Sequence, residues 1–282
     1  MAKIKIVSDT DAGINQKLAD ELGIFIFHKP LACGTKEVID TVTLTYDEFL
    51  NEIKAGNLYK SSQMATTYIE ETFTEILKDY DYIIYIPISS KMSTAYENGV
   101  NIANQFNGRV RCLDIREVAQ LEGYEVLLAQ RLIDEGHEFN EICETLLKRA
   151  GKSQAFIIPS SLKWLKAGGR ITPGAATMAN LLGIKPILQL LDGAICKYGV
   201  GKSLKQCYKK AIQATIDIGI KPETHELLLL HTNEPKLRDE FLQIIKEFPE
   251  LDGFKIKDDL VPGVVLVHLG PGAIALVAIP KI

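Results

Sequence analysis

The stretch Tyr82-Ile83-Ile84-Tyr85-Ile86-Pro87-Ile88, continued by Ser89-Ser90-Lys91-Met92-Ser93-Thr94-Ala95-Tyr96, decides how the chain reads. Its first half is a short apolar run of Ile and Tyr, suited to a strand buried on both faces. Its second half is a hydroxyl-rich turn that enters a helical pattern with Tyr96, Val100, Ala103 and Phe106 on one side. Ser93 stands where an N-cap is expected, its oxygen able to accept from the first open N–H groups of that helix. A strand end, a polar turn and a helix N-terminus together suit a small anion.

Outward from this stretch the pattern repeats. Lys3 to Val7 reads as a strand that meets Ser8-Asp9-Thr10-Asp11. Asp9 there has two readings, a ligand-orienting carboxylate or an Asx cap on the turn. Ile14 to Leu22 reads as a helix ended by Gly23, and Ile24 to Phe27 as a strand, after which the lone His28 reads as structural. Thr45-Tyr46-Asp47-Glu48 is a capping box opening a helix that buries Phe49, Leu50 and Ile53. Lys60 to Thr66 is a second hydroxyl-rich turn, with Thr67 and Glu70 expected to cap a helix whose apolar side is Ile69, Phe73, Ile76 and Leu77. Val110 to Asp114 is a further strand, followed by helices over 117–135 and 140–149. Strands alternating with helices predict a parallel sheet covered on both faces, with ligands off the carboxyl ends of its strands.

From Ser153 the pattern changes. Strands are expected at Ala155 to Ile158, Ile184 to Leu190, Leu227 to Leu230, Phe254 to Lys257, Val264 to Val267 and Ala273 to Ile279. Helices are expected at Ser161 to Lys166, Ala175 to Leu182, Ser203 to Ile218 and Pro235 to Glu247. Asp192-Gly193 is a hairpin turn signal. Mixed hairpins and crossovers predict an α+β second domain, 151–282, beside an α/β first domain, 1–150, with a cleft where they pack.

Composition narrows the partners. A formal net charge of −4 offers no basic footprint for nucleic acid. Apolar runs fall well short of the roughly 20 residues a spanning helix needs, so no stable membrane insertion is expected. Five scattered cysteines without a Cys-x-x-Cys pair fit reduced thiols in a cytoplasm and give no metal-site spacing.

The sequence contains no Gly-x-Ser-x-Gly, no phosphate loop and no Gly-x-Gly-x-x-Gly. Ser160-x-x-Lys163 lacks the partner motifs that would make it a nucleophile pair. Arg170, after Gly168-Gly169, can face an anion or simply close a helix. His268, between an apolar run and Gly270-Pro271-Gly272, has a ligand and a structural reading of equal weight. No spacing brings a serine, a histidine and an aspartate together as a triad. The residues alone reach an anion-accepting cleft between two α/β domains.

Taken together, these stretches resemble the DegV family of bacterial fatty-acid-binding proteins, through the whole chain. The carriers are Ser8-Asp9-Thr10, Ser61-Ser62-Gln63-Met64-Ala65, Ser89 to Tyr96, Leu162 to Ile171 with its Gly-Gly-Arg, Ile184 to Leu188 with Asp192-Gly193, and His268 to Gly272. The resemblance implies a two-domain DegV-like α/β fold, with an N-terminal three-layer α/β/α parallel sheet and a C-terminal α+β mixed sheet. It implies one long-chain fatty acid, such as palmitate or oleate, as bound ligand, with no other cofactor and no metal.

The expected carboxylate donors are Ser61 and Ser93, with Ser62, Thr94, His268 and Arg170 in or near the same network. Met178, Leu181, Leu182, Ile187 and Leu188 are the expected walls of an acyl tunnel. The family also implies a carrier that presents its lipid to a separate fatty-acid kinase and is not itself the catalyst. A serine-dependent acyl hydrolase or a phosphotransferase is the alternative; a lipid-signalled regulatory module is a third reading. The chain departs from the family pattern at Met64, Ala65, Thr94 and Ala95, across Asp114 to Leu121, and at Gly201-Lys202, where a kinase-docking arginine is usual.

Overall fold

A computed structural model describes residues 2–39, 42–180 and 183–281. In chain order the first elements are β1 (Ile4–Asp9), α1 (Gln16–Leu22), β2 (Phe25–Phe27), β3 (Pro30–Cys33) and β4 (Lys36–Ile39). Next come α2 (Tyr46–Lys54), β5 (Lys60–Ser61), α3 (Thr66–Ile76), β6 (Tyr82–Ile86), α4 (Ala95–Ala103) and β7 (Val110–Cys112). α5 (Gln120–Asp134), α6 (Phe139–Arg149), β8 (Gln154–Ile158), α7 (Lys163–Gly168), α8 (Pro173–Ala176), β9 (Lys185–Leu191) and β10 (Ala194–Gly201) follow. The chain continues through α9 (Leu204–Asp217), β11 (His225–His231), α10 (Pro235–Ile245), β12 (Lys257–Leu260), α11 (Gly263–Leu269) and β13 (Ile274–Pro280). Two compact units result: Met1–Leu44, Ser61–Gly151 and Pro262–Val264 form one, and Thr45–Lys60, Lys152–Val261 and Val265–Ile282 the other.

The first unit is built on a parallel sheet of order β2-β1-β6-β7. Successive residues of a strand point to opposite faces. Ile84 and Ile86 of β6 therefore join Ile4 and Ile6 of β1 against Val126 and Ala129 of α5 and Ile142 and Leu146 of α6. Ile83 and Tyr85 join Val7 and Phe27 on the other face, against Ile69 and Phe73 of α3 and Ile102 of α4. Both faces are covered, which is why Tyr82 to Ile86 shows no polar alternation. A three-stranded sheet, β4-β3-β5, adds a short antiparallel piece that the sequence did not announce.

The second unit is a mixed sheet of order β10-β9-β8-β13-β11-β12. Only β11 and β12 pair in parallel; the other neighbours run antiparallel. The hairpin between β9 and β10 turns at Asp192 (φ 48°) and Gly193 (φ 79°), the paired positive angles that a two-residue hairpin favours. One sheet face carries Phe156, Ile158, Ile187, Leu229 and Leu276 into a core with Tyr208 and Ile212 of α9 and Phe241 of α10. The opposite face carries the cross-strand row Leu188, Ile157, Ala275 and Leu230, all buried. Helix α2 belongs to this unit and opens with the expected capping box, Thr45 and Glu48 bonded reciprocally.

Several local expectations differ from the structure. Val264 to Val267 lies in helix α11, closed by Gly270 N–H donating to Leu266 O at 2.7 Å. The run of β-branched residues reads as a strand, and tertiary packing overrides that propensity. The last edge strand is β12, Lys257–Leu260, because Phe254 and Ile256 pack against the core without joining the ladder. Helix α3 starts at Thr66 with Ala65 as N-cap and no side-chain cap, so Thr67 and Glu70 do not open it. Helix α4 buries Gly99, Ile102 and Ala103, a face rotated from the expected Tyr96, Val100, Ala103 and Phe106. The apolar segment after Thr172 is the short α8 followed by a 3-10 turn, Thr177–Asn180, while Leu181 and Leu182 lie outside the described residues.

Candidate functional site

In the first unit the carboxyl ends of β1 and β6 lie side by side where the strand order reverses, the usual ligand crevice of an open parallel sheet. The turn after β6 is tied down residue by residue. Ser89 is fully buried, its N–H donating to Glu117 O at 3.0 Å and its Oγ accepting from Lys91 N–H at 3.2 Å. Ser90 donates through Oγ to Asp114 Oδ2 at 2.5 Å, and its N–H reaches Asp114 Oδ1 at 3.2 Å. Both serines are occupied in holding the turn.

Ser93 differs. Its N–H donates to Ser89 O at 3.2 Å, and its Oγ accepts from Ala95 N–H at 3.2 Å. The N-cap residue of α4 is Thr94, whose side chain makes no cap bond, so Ser93 caps from one position further back than expected. A hydroxyl that accepts still has its proton to give. Half-buried Ser93 and exposed Thr94 thus present hydroxyls beside the first turn of a nine-residue helix.

The second hydroxyl turn follows the same logic. Ser61 ends β5, and Ser62 N–H donates to Pro30 O at 2.9 Å. Gln63 Oε1 accepts from the Asn98 side-chain amide of α4, joining the turn that carries Ser61 and Ser62 to the helix that follows Ser93. Sequence reading missed this link, which spans 35 positions. The loop from Leu113 to Ala119 holds two non-glycine residues with positive φ, Arg116 at 55° and Ala119 at 57°. Such angles are costly for residues bearing a Cβ and collect near functional loops.

At the carboxyl end of β1 is a buried charge cluster. Lys29 Nζ lies 2.8 Å from Asp9 Oδ2 and also contacts Asp11 Oδ2; all three residues are buried. Asp9 Oδ1 accepts from Asp11 N–H at 3.1 Å, so the Asx-cap reading of Asp9 is realised. Burial raises the Asp9 carboxyl to about 7, against the opposing pull of the Lys29 charge. Burial by itself would lower the Lys29 ammonium, but Asp11 and Asp9 outweigh it and the net shift is upward.

Glu122, in the first turn of α5, is also fully buried, and its Oε1 lies 3.3 Å from Ser8 Oγ. Ser8 has one proton and gives it to Ile86 O at 2.7 Å. The contact with Glu122 is therefore a hydrogen bond when Glu122 is the protonated partner. Burial, then the Asp9 charge, push its carboxyl well above the usual range in the same direction. Lys29 and Glu122 were not singled out from the sequence. Lys29 sits in the loop between β2 and β3 and Glu122 in the first turn of α5, and only folding brings either to the aspartates.

In the second unit His268 sits in the last turn of α11 and Arg170 just beyond α7, each half-buried. Arg170 Nη1 donates to Gly168 O, and His268 Nδ1 lies against Gly168. The expected donors thus form two groups, Ser61, Ser62, Ser93 and Thr94 in one unit and Arg170 with His268 in the other. Of the expected tunnel walls, Met178 and Leu188 are buried, and Ile187 points away from Leu188 into the core against α9. Among the described residues no cluster has the His, Cys, Asp and Glu content to hold a metal ion, and no helix is long and apolar enough to cross a membrane.

A parallel sheet whose strand order reverses between β1 and β6, in a chain whose second unit is a mixed sheet, defines a two-unit α/β protein. The chain belongs to the DegV family: the model described as "Uncharacterised protein, DegV family" matches residues 3–281. A DegV domain-containing protein of Caldanaerobacter subterraneus is 27% identical over 274 residues, covering 97% of each chain. Among solved structures, the fatty acid binding DegV family protein of Streptococcus agalactiae superposes with a TM-score of 0.90 at 22% identity, over 100% of both chains. A stearic acid-binding protein from Eubacterium ventriosum gives 0.83 at 20% identity, over 99% of this chain and 98% of that one.

Proposed function

We propose that this protein binds one long-chain fatty acid, holding the carboxylate with hydroxyl donors and burying the acyl tail. The observation that carries the reading is Ser93. Its Oγ accepts one bond and keeps a proton to give, at a helix start joined through Gln63 and Asn98 to the turn bearing Ser61. Charge-assisted bonds from hydroxyls and main-chain N–H groups are what a carboxylate needs once it leaves water. Ser61, Ser62, Ser93, Thr94, His268 and Arg170 are our proposed donor set. Family membership and the fatty acids bound by similar proteins support the ligand class.

For the tail we propose the sheet face bearing Leu188, with Met178. Each methylene removed from water contributes about 0.8 kcal/mol, so a long chain dominates affinity while the polar end sets orientation. In this reading the protein is a cytoplasmic carrier without catalysis of its own, which transports its lipid or presents it to a separate fatty-acid kinase.

Mass spectrometry of lipid extracted from the purified protein is the direct test, with a long-chain acid expected. An extract without acyl chains, together with no uptake of added palmitate or oleate, overturns the reading. Ser93→Ala should weaken palmitate binding roughly tenfold or more, the worth of one hydrogen bond to a charged group. Turnover of acyl esters that vanishes in the same variant would instead establish an acyl hydrolase. Purified kinase and ATP, giving phosphorylation of the carboxylate only when this protein is loaded, would test the presenting role.

A further inference from the structure

The segments 160–170 and 268–272 of the second unit meet with unusually little side chain between them. A Cβ built on Gly270 (φ +76°) would lie 1.9 Å from Trp164 Cδ1, and one on Gly272 (φ +75°) 3.0 Å from Ser160. Ser160 Oγ donates to Pro271 O at 2.6 Å across the same seam. At the far end a Cβ on Gly168 would lie 2.4 Å from His268 Nδ1 and 3.3 Å from its Cε1. The imidazole therefore rests edge-on over the backbone of the last turn of α7. Gly168 also supplies the carbonyl that accepts from Arg170 Nη1.

We infer that Gly168 is a positioning residue for the polar end of the ligand. Having no side chain, it lets His268 lie with its Nδ1 edge on α7, and its carbonyl fixes the guanidinium of Arg170. Two side chains from different elements thereby meet at one residue. The inference rests on the reading of His268 and Arg170 as carboxylate donors, and it adds what sets their geometry. Helix propensity argues the other way, since alanine is favoured over glycine within a helix. A loss in Gly168→Ala therefore reports the contact with His268.

The test is a double-mutant cycle on the full chain, with palmitate as ligand. Gly168→Ala should weaken palmitate binding roughly tenfold or more, the cost of misplacing a donor to a charged group. In a His268→Ala background the same substitution should change binding less than about twofold, because contacting residues couple and the partner is gone. Equal fold-losses in both backgrounds, or an unchanged affinity, overturn the inference.

Nitrogen NMR of the His268 ring in ligand-free protein gives a readout independent of lipid. Its signals should move in Gly168→Ala, and unmoved signals overturn the inference whether or not palmitate binds. If wild-type protein takes up no fatty acid while the ring signals do move, the functional reading falls and the positioning contact stands. Should Gly168→Ala not fold, the double variant, which removes the clash, should recover the fold; failure to recover it also overturns the inference.

Discussion

The two sheets solve opposite problems. The parallel sheet of the first unit keeps charge inside it: Asp9, Asp11, Lys29 and Glu122 all lie buried by the carboxyl end of β1. The mixed sheet of the second unit is apolar on both faces through its middle strands, and its Lys–Glu pairs lie toward the surface, as between Lys54 and Glu234 or Lys209 and Glu247. Parallel strands bring all their carboxyl ends and following turns to one side, so polar groups gather there and bury one another.

The comparison breaks most readily at Lys29. Lys29→Met keeps the aliphatic bulk and removes the only charge that contacts both Asp9 and Asp11 among the described residues. Leaving a buried charge without its partner costs about 3–5 kcal/mol. Urea unfolding at pH 7 should show a loss of that order. An unchanged midpoint would mean that the cluster holds no net charge worth compensating.

The pH dependence tests the same cluster by a second route. The Asp9 carboxyl titrates near 7 in the folded protein against a usual 3.8, and Glu122 is raised as well. Between those values the folded chain holds protons that the unfolded chain has released. The stability these two groups contribute is then fully present at low pH, below the ordinary carboxyl range, and is lost as the pH climbs through about 7. Glu122→Gln keeps a neutral donor toward Ser8 and removes one of the two groups. It should flatten the decline, read as unfolding midpoints across the pH range, while changing stability at pH 5 by less than about 1 kcal/mol. Identical pH profiles for wild type and Glu122→Gln contradict the assignment of Glu122.

What the sequence disclosed follows the same division. Tyr82 to Ile86 disclosed the parallel sheet, because a short continuous apolar run rich in Ile and Tyr suits a strand covered on both faces. Thr45 to Glu48 and Asp192-Gly193 disclosed a cap and a hairpin, since their chemistry is complete within a few residues. The hydroxyl turns were legible for the same local reason. Lys29 was not, because nothing near it in sequence says that two aspartates will meet it after folding. Gln63 with Asn98, and Gly168 with His268, are likewise pairings that only tertiary structure makes. Helix α11 was misjudged because Val264, Val265 and Val267 favour strands locally, and packing settled the matter otherwise.

The smallest effect sharpens the comparison most cleanly, because it repeats the first substitution on a matched pair. Lys54 of α2 lies 2.7 Å from Glu234 Oε1, as close as Lys29 is to Asp9, but its side chain is 42% exposed and its partner's 30%. Water screens that pair, and ordering two long side chains offsets much of the Coulomb gain. Lys54→Met should therefore cost less than about 1 kcal/mol, and the loss should shrink further in high salt. The same urea measurement on both lysine variants compares a buried lysine held by two carboxylates with a half-exposed one beside a single carboxylate. Comparable losses would show that the depth of the cluster under β1 is not what gives Lys29 its importance. A severalfold difference would place the energetic weight of the first unit in charges that its sheet encloses.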